Sequence, residues 1–354
     1  MQKETSIKFG ANLKEFRLKK AISQGDIADT LGVSRGYISN IENGKTNPTL
    51  ATISKLAEAV GVSVSDLTKN GHKVTDFASD RFVPKIEALI RAVHQAGNVI
   101  RDSFIRNEAL YFKEKTNKSD IVTDIDLRSE KILSRSIQKY FPEIEIISEE
   151  SFRGNFSFDQ KKNIAIVDPL DGTANFFSNI PYFSISVFLN SESVGAVGII
   201  YNPITDTLLV GNSGRFEMRQ GDNMYPILQE KNTDEEVNLE NVNCAVISGY
   251  DIPPEITEPF CQYLYSYGFK RVMSNWSPAH DYMNLIINKF DCVISLSEPG
   301  FSEAAGIFLV KQSSTHAFQK VSKKISKKEY LISVAAQRNY SPFIIKAITA
   351  YKPV

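Results

Sequence analysis

The apolar residues of this 354-residue chain follow two different patterns, and the change between them near residue 70 restricts the fold more than any other feature. In residues 7–69 the apolar positions recur at the spacing of short helices, which capping residues and glycines separate. From residue 83 onward, amphipathic helices alternate with short strand-like runs. The sequence therefore predicts a small all-α domain followed by a large layered α/β domain.

The domain boundaries are predicted from the same change of pattern. Five helices fit into residues 1–70, residues 71–82 lose the periodicity and are predicted to be a linker, and the second domain covers residues 83–354. A usual size of roughly 150 residues per domain agrees with this division. The strand-like runs of the second domain are 143–147, 164–167, 183–189, 194–201, 207–210, 243–248, 292–295 and 330–334, and its later helices are predicted near 255–266, 277–289, 303–311 and 341–351.

The sequence argues against several classes of protein. No apolar run reaches the roughly 18 residues of a membrane span, and the first six residues lack the apolar stretch of a signal peptide. Cys244, Cys261 and Cys292 are widely spaced and the four histidines are scattered, which argues against a disulfide framework and against a Cys or His metal centre. We therefore expect a cytoplasmic protein with no membrane partner.

The segment Ser23–Gly44 predicts two short helices around a glycine turn. Ser23 and Asp26 have the spacing of a capping box, and Ser34 is placed to cap the second helix. The apolar residues of both helices point inward, so a polar face of the second helix is left outside. The residues of that face are Ser34, Arg35, Gly36, Tyr37 and Asn40.

A polar, Arg-bearing helix of this kind suits the major groove of DNA. Arg35 and Asn40 are the predicted base readers, because a guanidinium suits guanine and an amide suits adenine. Gln24, Lys45 and Thr46 are predicted phosphate contacts. Residues 1–72 carry a net charge of +3 and the remainder −3, which permits binding of nucleic acid by the first domain.

With these residues, the first domain closely resembles the lambda-repressor/Cro-like (XRE) helix-turn-helix over all five helices. The resemblance implies binding to double-stranded DNA as a homodimer, on a palindromic operator. It also implies that Arg17 and Glu42 form a structural ion pair, so Arg17 is not counted as a DNA contact. A small helical bundle used for protein contacts is the alternative.

The stretch Ile166–Phe176 predicts an acidic site in the second domain. A strand ends at Asp168, and the Pro and Gly that follow force a tight turn that aims Asp168 and Asp171 at one point. Upstream, Glu149-Glu150-Ser151 ends another strand. Oxygen ligands without histidine suit Mg²⁺, which a few carboxylates and a substrate phosphate commonly hold.

Residues 83–354 resemble the inositol monophosphatase-like phosphatases. The landmarks occur in the family's order and are Lys115, Asp120–Asp126, Glu149–Ser151, Asp168–Thr173 and Phe301–Gly306. The resemblance implies a five-layer α-β-α-β-α sandwich, usually dimeric, with Mg²⁺ as cofactor and a phosphorylated small molecule as ligand.

The resemblance also implies roles for individual residues. Glu150, Asp168 and the Leu170 carbonyl would hold one Mg²⁺, and Asp168 with Asp171 would contribute to a second. Phosphate and substrate would be bound by Lys115, Gly172, Thr173 and Ser277. Thr173 with Asp126 would orient the attacking water alongside Glu150, so these three residues are the predicted catalytic group.

The sequence departs from the family's pattern at the second metal and the pocket. Ser302 stands where the closing motif has an Asp that binds the second metal, and a hydroxyl is the weaker ligand. Glu303 follows it and would point about 100° away on a helix. Ser295 stands where inositol-specific members carry a Glu. Trp276 and Pro278 replace small residues; an indole there would narrow the pocket and a proline offers no N–H.

Three hypotheses remain open on this sequence. The favoured one is a DNA-binding transcriptional regulator whose second domain senses a phosphorylated small molecule with Mg²⁺, with weak or no catalysis. The alternative is an active Mg²⁺-dependent phosphomonoesterase, acting on a sugar or polyol phosphate or a nucleotide 3′-phosphate. The third is a regulator whose second domain only dimerises. Cys292 and His280 lie near the altered pocket in sequence and are interpreted as packing residues.

Overall fold

The computed structural model divides the chain into two compact units, Met1–Phe82 and Val83–Val354. It describes residues 9–10, 12–14, 16–17, 22–46, 48–60, 62, 64, 67, 82–107, 112–114, 121–153, 162–213, 215–221, 223–227, 238–249, 252–325 and 328–352. Most of the predicted linker, together with Lys115 and Asp120, lies outside this part of the chain.

The first unit contains the two helices predicted around the glycine turn. Helix α1 is Gln24–Leu31, α2 is Arg35–Glu42 and α3 is Leu50–Ala59. Ser23 and Asp26 form the predicted capping box, and Gly32 ends α1 with a φ of 68°, a value that favours glycine. Residues 9–10, 12–14, 16–17, 64 and 67 are also helical, where the first and fifth helices are predicted.

The core of the first unit fixes α1 and α2 against each other. It is formed by fully buried apolar side chains, among them Leu13, Ile27, Ile38, Ile41 and Leu56. Each such side chain contributes roughly 1.5–3 kcal/mol through burial. Beside this core, the predicted ion pair is confirmed: the Arg17 guanidinium donates to both carboxylate oxygens of Glu42, at 2.6 and 3.0 Å.

The second unit begins with two packed helices and a seven-stranded sheet. Helix α4 is Pro84–Arg106 and α5 is Asp124–Tyr140, and a short hairpin of β1 (Phe112–Glu114) and β2 (Ile121–Thr123) stands between them in sequence. The sheet has the order β3-β4-β5-β6-β7-β8-β9. Its strands are Glu145–Ser148, Ile164–Asp171, Ser184–Ser191, Gly195–Asn202, Thr207–Asn212, Arg215–Gln220 and Asn223–Pro226, with helix α6 (Thr173–Phe177) directly after β4.

A second sheet of five strands has the order β11-β10-β12-β14-β13. In chain order, its elements are β10 (Asn243–Ile247), α7 (Pro254–Ser266), β11 (Arg271–Met273), α8 (Pro278–Ile286), β12 (Cys292–Ser295), α9 (Glu303–Gln312), β13 (His316–Ile325), β14 (Lys328–Gln337) and α10 (Ser341–Ala350). The three cysteines are free, as the sequence predicts.

The two sheets and the helices stack into five layers. Helices α8 and α9 lie between the sheets, and their apolar residues share one core with both of them. Helices α7 and α10 cover the outer face of the five-stranded sheet, and α4 and α5 contact the other face of the seven-stranded sheet. The predicted α-β-α-β-α sandwich is therefore confirmed. No helix in the described part of the chain is long and apolar enough to cross a membrane.

Candidate functional site

Strand β4 places Asp168 and Asp171 at the same end of the seven-stranded sheet. All eight of its residues are buried, and its pairing with β5 is irregular between the two aspartates. Gly172 ends the strand with a φ of 87°. A Cβ atom on Gly172 would stand 3.0 Å from both the Ser277 Cβ and the Tyr182 carbonyl oxygen. This position therefore requires glycine both for its backbone conformation and for the close approach.

Asp168 is a buried carboxylate with donors on both oxygens. The Leu170 N–H donates to Oδ1 at 3.1 Å, and the Ser302 hydroxyl donates to Oδ2 at 2.6 Å. Burial raises the pKa of Asp168 well above its usual range, and the negative charges of Glu149 and Asp171 raise it further. Ser302, which stands where the resembling family has an aspartate for its second metal, thus donates a hydrogen bond to Asp168.

Asp171 has one saturated oxygen and one oxygen without a partner. Its Oδ2 accepts from the Ser277 hydroxyl at 2.5 Å, the Ser184 hydroxyl at 2.9 Å and the His280 N–H at 3.3 Å. Its Oδ1 is buried, and no described protein group donates to it. Burial raises the pKa of Asp171 to about 6, although the bonds from Ser277 and Ser184 act in the opposite direction.

Two glutamates follow β3. The charge of Glu149 contributes to the raised pKa of both Asp168 and Asp171. The sheet register explains its place, because β3 and β4 run parallel with Ser148 level with Val167, so the next residues along the two strands are Glu149 and Asp168. Glu150 is buried, and its backbone carbonyl accepts a bond from Arg153. Glu150 stays a predicted ligand, and Glu149 is a second acidic residue at this place.

The predicted catalytic pair Asp126 and Thr173 is brought together. The Thr173 hydroxyl lies 2.9 Å from Asp126 Oδ1 and 2.9 Å from the Leu170 carbonyl oxygen, so its single proton can be donated to either. Asp126 is fully buried at the start of α5, where its Oδ2 accepts from the Thr123 N–H at 2.9 Å. This capping bond fixes the carboxylate that faces Thr173.

Glu303 does not take the place of the missing aspartate. Its Oε2 accepts from the Gly300 N–H at 3.0 Å, and its Oε1 is buried without a described partner. Burial raises the pKa of Glu303 to about 7. Ser302 itself has a helical φ of −57° directly before α9, and its carbonyl accepts from Ser186.

The oxygen donors at the end of β4 fit a Mg²⁺ ion. The described residues contain no group of three His, Cys, Asp or Glu side chains arranged to hold a metal, but Mg²⁺ commonly uses only one or two carboxylates and completes its shell with water and phosphate. Asp168, Asp171 and the Leu170 carbonyl stand together at the irregular end of β4, with Glu149 on the neighbouring strand end. A cation would satisfy the buried Oδ1 of Asp171 and relieve the repulsion that raises both aspartate pKa values.

The residues predicted to bind phosphate have different surroundings. Gly172 and Thr173 follow Asp171 directly, at the entrance to α6. The Ser277 hydroxyl, in contrast, is fully buried and donates to Asp171, so the structure gives it a role in holding that carboxylate. Lys115 lies outside the described residues.

His280 and Cys292 are packing residues, as the sequence analysis interprets them. The His280 ring stacks on Tyr182 with its centroid 4.1 Å away, and burial lowers the pKa of His280 to about 4, so the ring is neutral. Cys292 is fully buried in β12.

In the first unit, the predicted DNA-binding residues divide into exposed and engaged side chains. Arg35, Gly36, Asn40 and Lys45 are exposed, and Tyr37 and Thr46 are half-buried. The Ser34 hydroxyl accepts from the Tyr37 N–H and caps α2. The half-buried Gln24 at the start of α1 donates its amide N–H to Glu42 at 2.7 Å, which joins it to the buried ion pair.

The first unit, the head, presents Arg35 and Asn40 on the exposed side of α2. The second unit, the body, is a five-layer domain with two buried aspartates at the end of a central strand. Residues 13–67 match the helix-turn-helix family model, and residues 83–350 match the model of the inositol monophosphatase family. The chain belongs to the inositol monophosphatase family and carries a helix-turn-helix before that domain.

Individual relatives agree with this assignment. The Nus factor SuhB of Haemophilus influenzae is 36% identical over 133 residues, which cover 37% of this chain and 48% of that protein. The chain thus spans about half the length of the curated relatives it matches. The solved SuhB structure from Bartonella henselae has a TM-score of 0.60 at 21% identity, covering 75% of this chain and 99% of that chain.

A second structural neighbour is an IMPase/NADP phosphatase solved in complex with Mg²⁺ and phosphate. Its TM-score is 0.56 at 17% identity, covering 76% of this chain and 97% of that chain. At these identities the two solved structures establish the shared fold.

Proposed function

We propose that this protein is a homodimeric DNA-binding transcriptional regulator whose phosphatase-like domain binds Mg²⁺ and a phosphorylated small molecule, with weak or no hydrolysis. The observation that carries the proposal is the 2.6 Å hydrogen bond from the Ser302 hydroxyl to Asp168. A neutral donor stands there in place of a metal-binding carboxylate, so the site keeps its first set of ligands and loses part of the second.

The head supplies the DNA-binding function. Arg35 and Asn40 are exposed on the second helix of the helix-turn-helix, and each can form paired hydrogen bonds with a base edge in the major groove. Lys45 is exposed just beyond this helix, where a basic side chain can contact the phosphate backbone. Two copies of the head on one operator would provide the half-site spacing of roughly 34 Å that this class of domain uses.

The body supplies the ligand-binding function. Asp168, Asp171, the Leu170 carbonyl and a glutamate of the Glu149-Glu150 pair would hold Mg²⁺. The backbone N–H groups of Gly172 and Thr173 would bind the phosphate. When bound, Mg²⁺ would neutralise the phosphate charge. The related IMPase/NADP phosphatase with Mg²⁺ and phosphate in place supports this arrangement.

The hydrogen bonds of the site support binding over rapid turnover. Ser302 donates to Asp168, and Ser277 and Ser184 both donate to one oxygen of Asp171. Hydroxyl protons therefore stabilise the negative charge of two carboxylates that a second cation would otherwise stabilise. With a single cation, charge developing on the leaving oxygen would have no metal beside it.

The second candidate function is an active phosphomonoesterase, and the Asp126–Thr173 pair favours it. A threonine hydroxyl 2.9 Å from a buried, fixed carboxylate can pass a proton from water to that carboxylate. Its substrates would be sugar or polyol phosphates or nucleotide 3′-phosphates. A body that only dimerises would bind none of these compounds.

The test is phosphate release by the full-length protein with Mg²⁺, with Asp168→Asn as the control. Inositol phosphates, sugar bisphosphates and nucleotide 3′-phosphates are the compounds to assay. We expect little or no release, and a change in affinity for DNA when one of these compounds binds. Rapid release that disappears in Asp168→Asn would establish the enzyme instead.

The variant Ser302→Asp separates two causes of low activity. If the missing ligand is the cause, the restored carboxylate should raise release at least tenfold, since one lost electrostatic contact commonly costs about 10²–10³ in rate. Ser302→Asn, similar in size and neutral, is the matched control. Unchanged activity in Ser302→Asp would place the cause in the substrate pocket.

A further inference from the structure

Trp276 is the only tryptophan of the chain, and its position is unusual in two respects. Its φ is 58°, in the left-handed region that bulky side chains rarely adopt. Its side chain is also 58% exposed, so burial of the indole does not explain why the chain keeps a tryptophan there. A strained backbone with an exposed ring indicates a role for that ring outside the core.

Hydrogen bonds on both sides hold the backbone of Trp276. Before it, the Asn275 amide donates to buried Asp281 at 2.8 Å, and the Asn275 carbonyl accepts from the Asn175 amide at 2.7 Å. After it, Ser277 donates to Asp171 at 2.5 Å. The indole is therefore attached to a fixed segment rather than to a loose loop.

This segment adjoins the loop that would receive phosphate. The Ser277 Cβ is 3.0 Å from the position that a Cβ on Gly172 would occupy, so residues 276 and 277 pass directly beside Gly172. A phosphate ester bound by the backbone of Gly172 and Thr173 would have its organic part next to this segment. The indole is then in position to contact that part of the ligand.

Large apolar side chains are exposed near this segment. Phe177 and Ile180, in the segment that Asn175 ties to Asn275, are 44% and 48% exposed. The Tyr182 hydroxyl is engaged within the protein, since it donates to Asp281 at 2.6 Å and accepts from Asn284 at 3.0 Å. Exposed apolar side chains suit a flat ring, whereas a polyol needs hydrogen-bonding partners for its hydroxyls.

We propose that the Trp276 indole is a specificity-determining residue that stacks on a flat aromatic ring of the ligand, which makes nucleoside phosphates the preferred class over polyol phosphates. This inference rests on the proposed function, because it takes the phosphate site at Gly172 and Thr173 as given. Stacking on an aromatic side chain accepts any base, so the preference is for the class of compound and not for one base.

The single tryptophan provides a direct measurement. Full-length protein with Mg²⁺ is titrated with adenosine 3′-phosphate, inositol 1-phosphate and inorganic phosphate, following indole fluorescence and, in parallel, binding by calorimetry. We expect adenosine 3′-phosphate alone to quench the fluorescence, and to bind about tenfold more tightly than inositol 1-phosphate.

Trp276→Gly tests the ring without straining the backbone, because glycine favours a φ of 58°. This variant should keep its thermal stability and its affinity for inorganic phosphate, and lose about tenfold in affinity for adenosine 3′-phosphate. Trp276→Phe retains an aromatic face and should restore most of that affinity.

Three results would overturn the inference. If adenosine 3′-phosphate binds no better than inositol 1-phosphate while both bind, the ring does not select the ligand and the proposed function stands. If a ligand binds by calorimetry with no change in fluorescence, the indole does not contact it. If no phosphate compound binds at all, the proposed ligand-binding function fails and this inference fails with it.

Discussion

At the scale of single residues, the second unit holds several carboxyl groups out of water without a cationic partner. Asp281 is fully buried, accepts from Tyr182 and Asn275 on one oxygen, and has no described donor on the other. Burial raises the pKa of Asp281 to about 7 and that of Glu303 to about 7. Burial thus brings the pKa of both groups from the acidic range toward neutral pH.

The pKa of Asp281 leads to a prediction for stability against pH. Because its pKa is raised on folding, the folded state binds the proton more tightly than the unfolded chain does. The stabilisation is complete below about pH 4 and is lost as pH rises toward 7. In Asp281→Asn this dependence disappears, so the free energy of unfolding of the variant relative to wild type should increase by about 1 kcal/mol per pH unit across that range.

Urea denaturation of both proteins between pH 4.5 and 7.5, monitored by circular dichroism, measures this difference. Glu298→Gln is the control, since Glu298 is a largely exposed carboxylate whose replacement should leave the pH dependence unchanged. A constant difference between Asp281→Asn and wild type would show that Asp281 is charged throughout this range.

At the scale of elements, the apolar patterns predicted the helices and the buried strands, but not the polar ones. Strand β13 was missed because its residues include Lys320, Lys323 and Lys324. It is an edge strand of the five-stranded sheet, where lysines prevent pairing with other chains and hide the apolar alternation.

The turn of Asp168–Thr173 was predictable because proline and glycine fix it locally. The place of Glu149 next to Asp168 depends on strand register, which a local pattern does not contain.

Gly172 allows a test of how tightly the element that carries the site is packed. Gly172→Ala adds a Cβ at a φ of 87° and brings it within 3.0 Å of Ser277 and Tyr182. Gly195→Ala adds the same atom at a φ of 73° with nothing within 4 Å. Both variants should be less stable than wild type by roughly 1–2 kcal/mol, because an alanine at a positive φ strains the backbone. Gly172→Ala should lose about 1–3 kcal/mol more of stability, because its Cβ overpacks the site.

Chemical denaturation of the two variants gives both free energies of unfolding, and Mg²⁺ binding should weaken only in Gly172→Ala. Equal losses of stability in the two variants would mean that the loop before α6 moves aside at little cost, and that its close contact with Ser277 is not needed to hold the carboxylates.

At the scale of the whole molecule, a basic head and an acidic body occur in one chain, each with its own hydrophobic core. In the proposed function, a ligand bound by the body regulates DNA binding only if it favours one arrangement of the proposed dimer over another. The full-length protein should then bind DNA, and the residues of the head that contact bases should differ from those that stabilise its fold.

Variants of Arg35 and Gln24 distinguish a residue that contacts bases from a residue that stabilises the head. Sequences that the full-length protein selects from random double-stranded DNA should contain two related half-sites about one helical turn apart. Arg35→Ala, exposed on α2, should weaken binding to the selected site by about 10-fold to 100-fold and relax the preference at one base pair of each half-site.

Gln24→Ala is the matched control, since it removes the 2.7 Å bond to Glu42 beside the buried ion pair. It should lower the stability of the head by about 1 kcal/mol and leave the base preference of the remaining folded protein unchanged. If the base preference is unchanged in Arg35→Ala but changes in Gln24→Ala, the bases are contacted by the start of α1 and not by α2. Selection of unrelated single sites would contradict the two-fold arrangement on DNA.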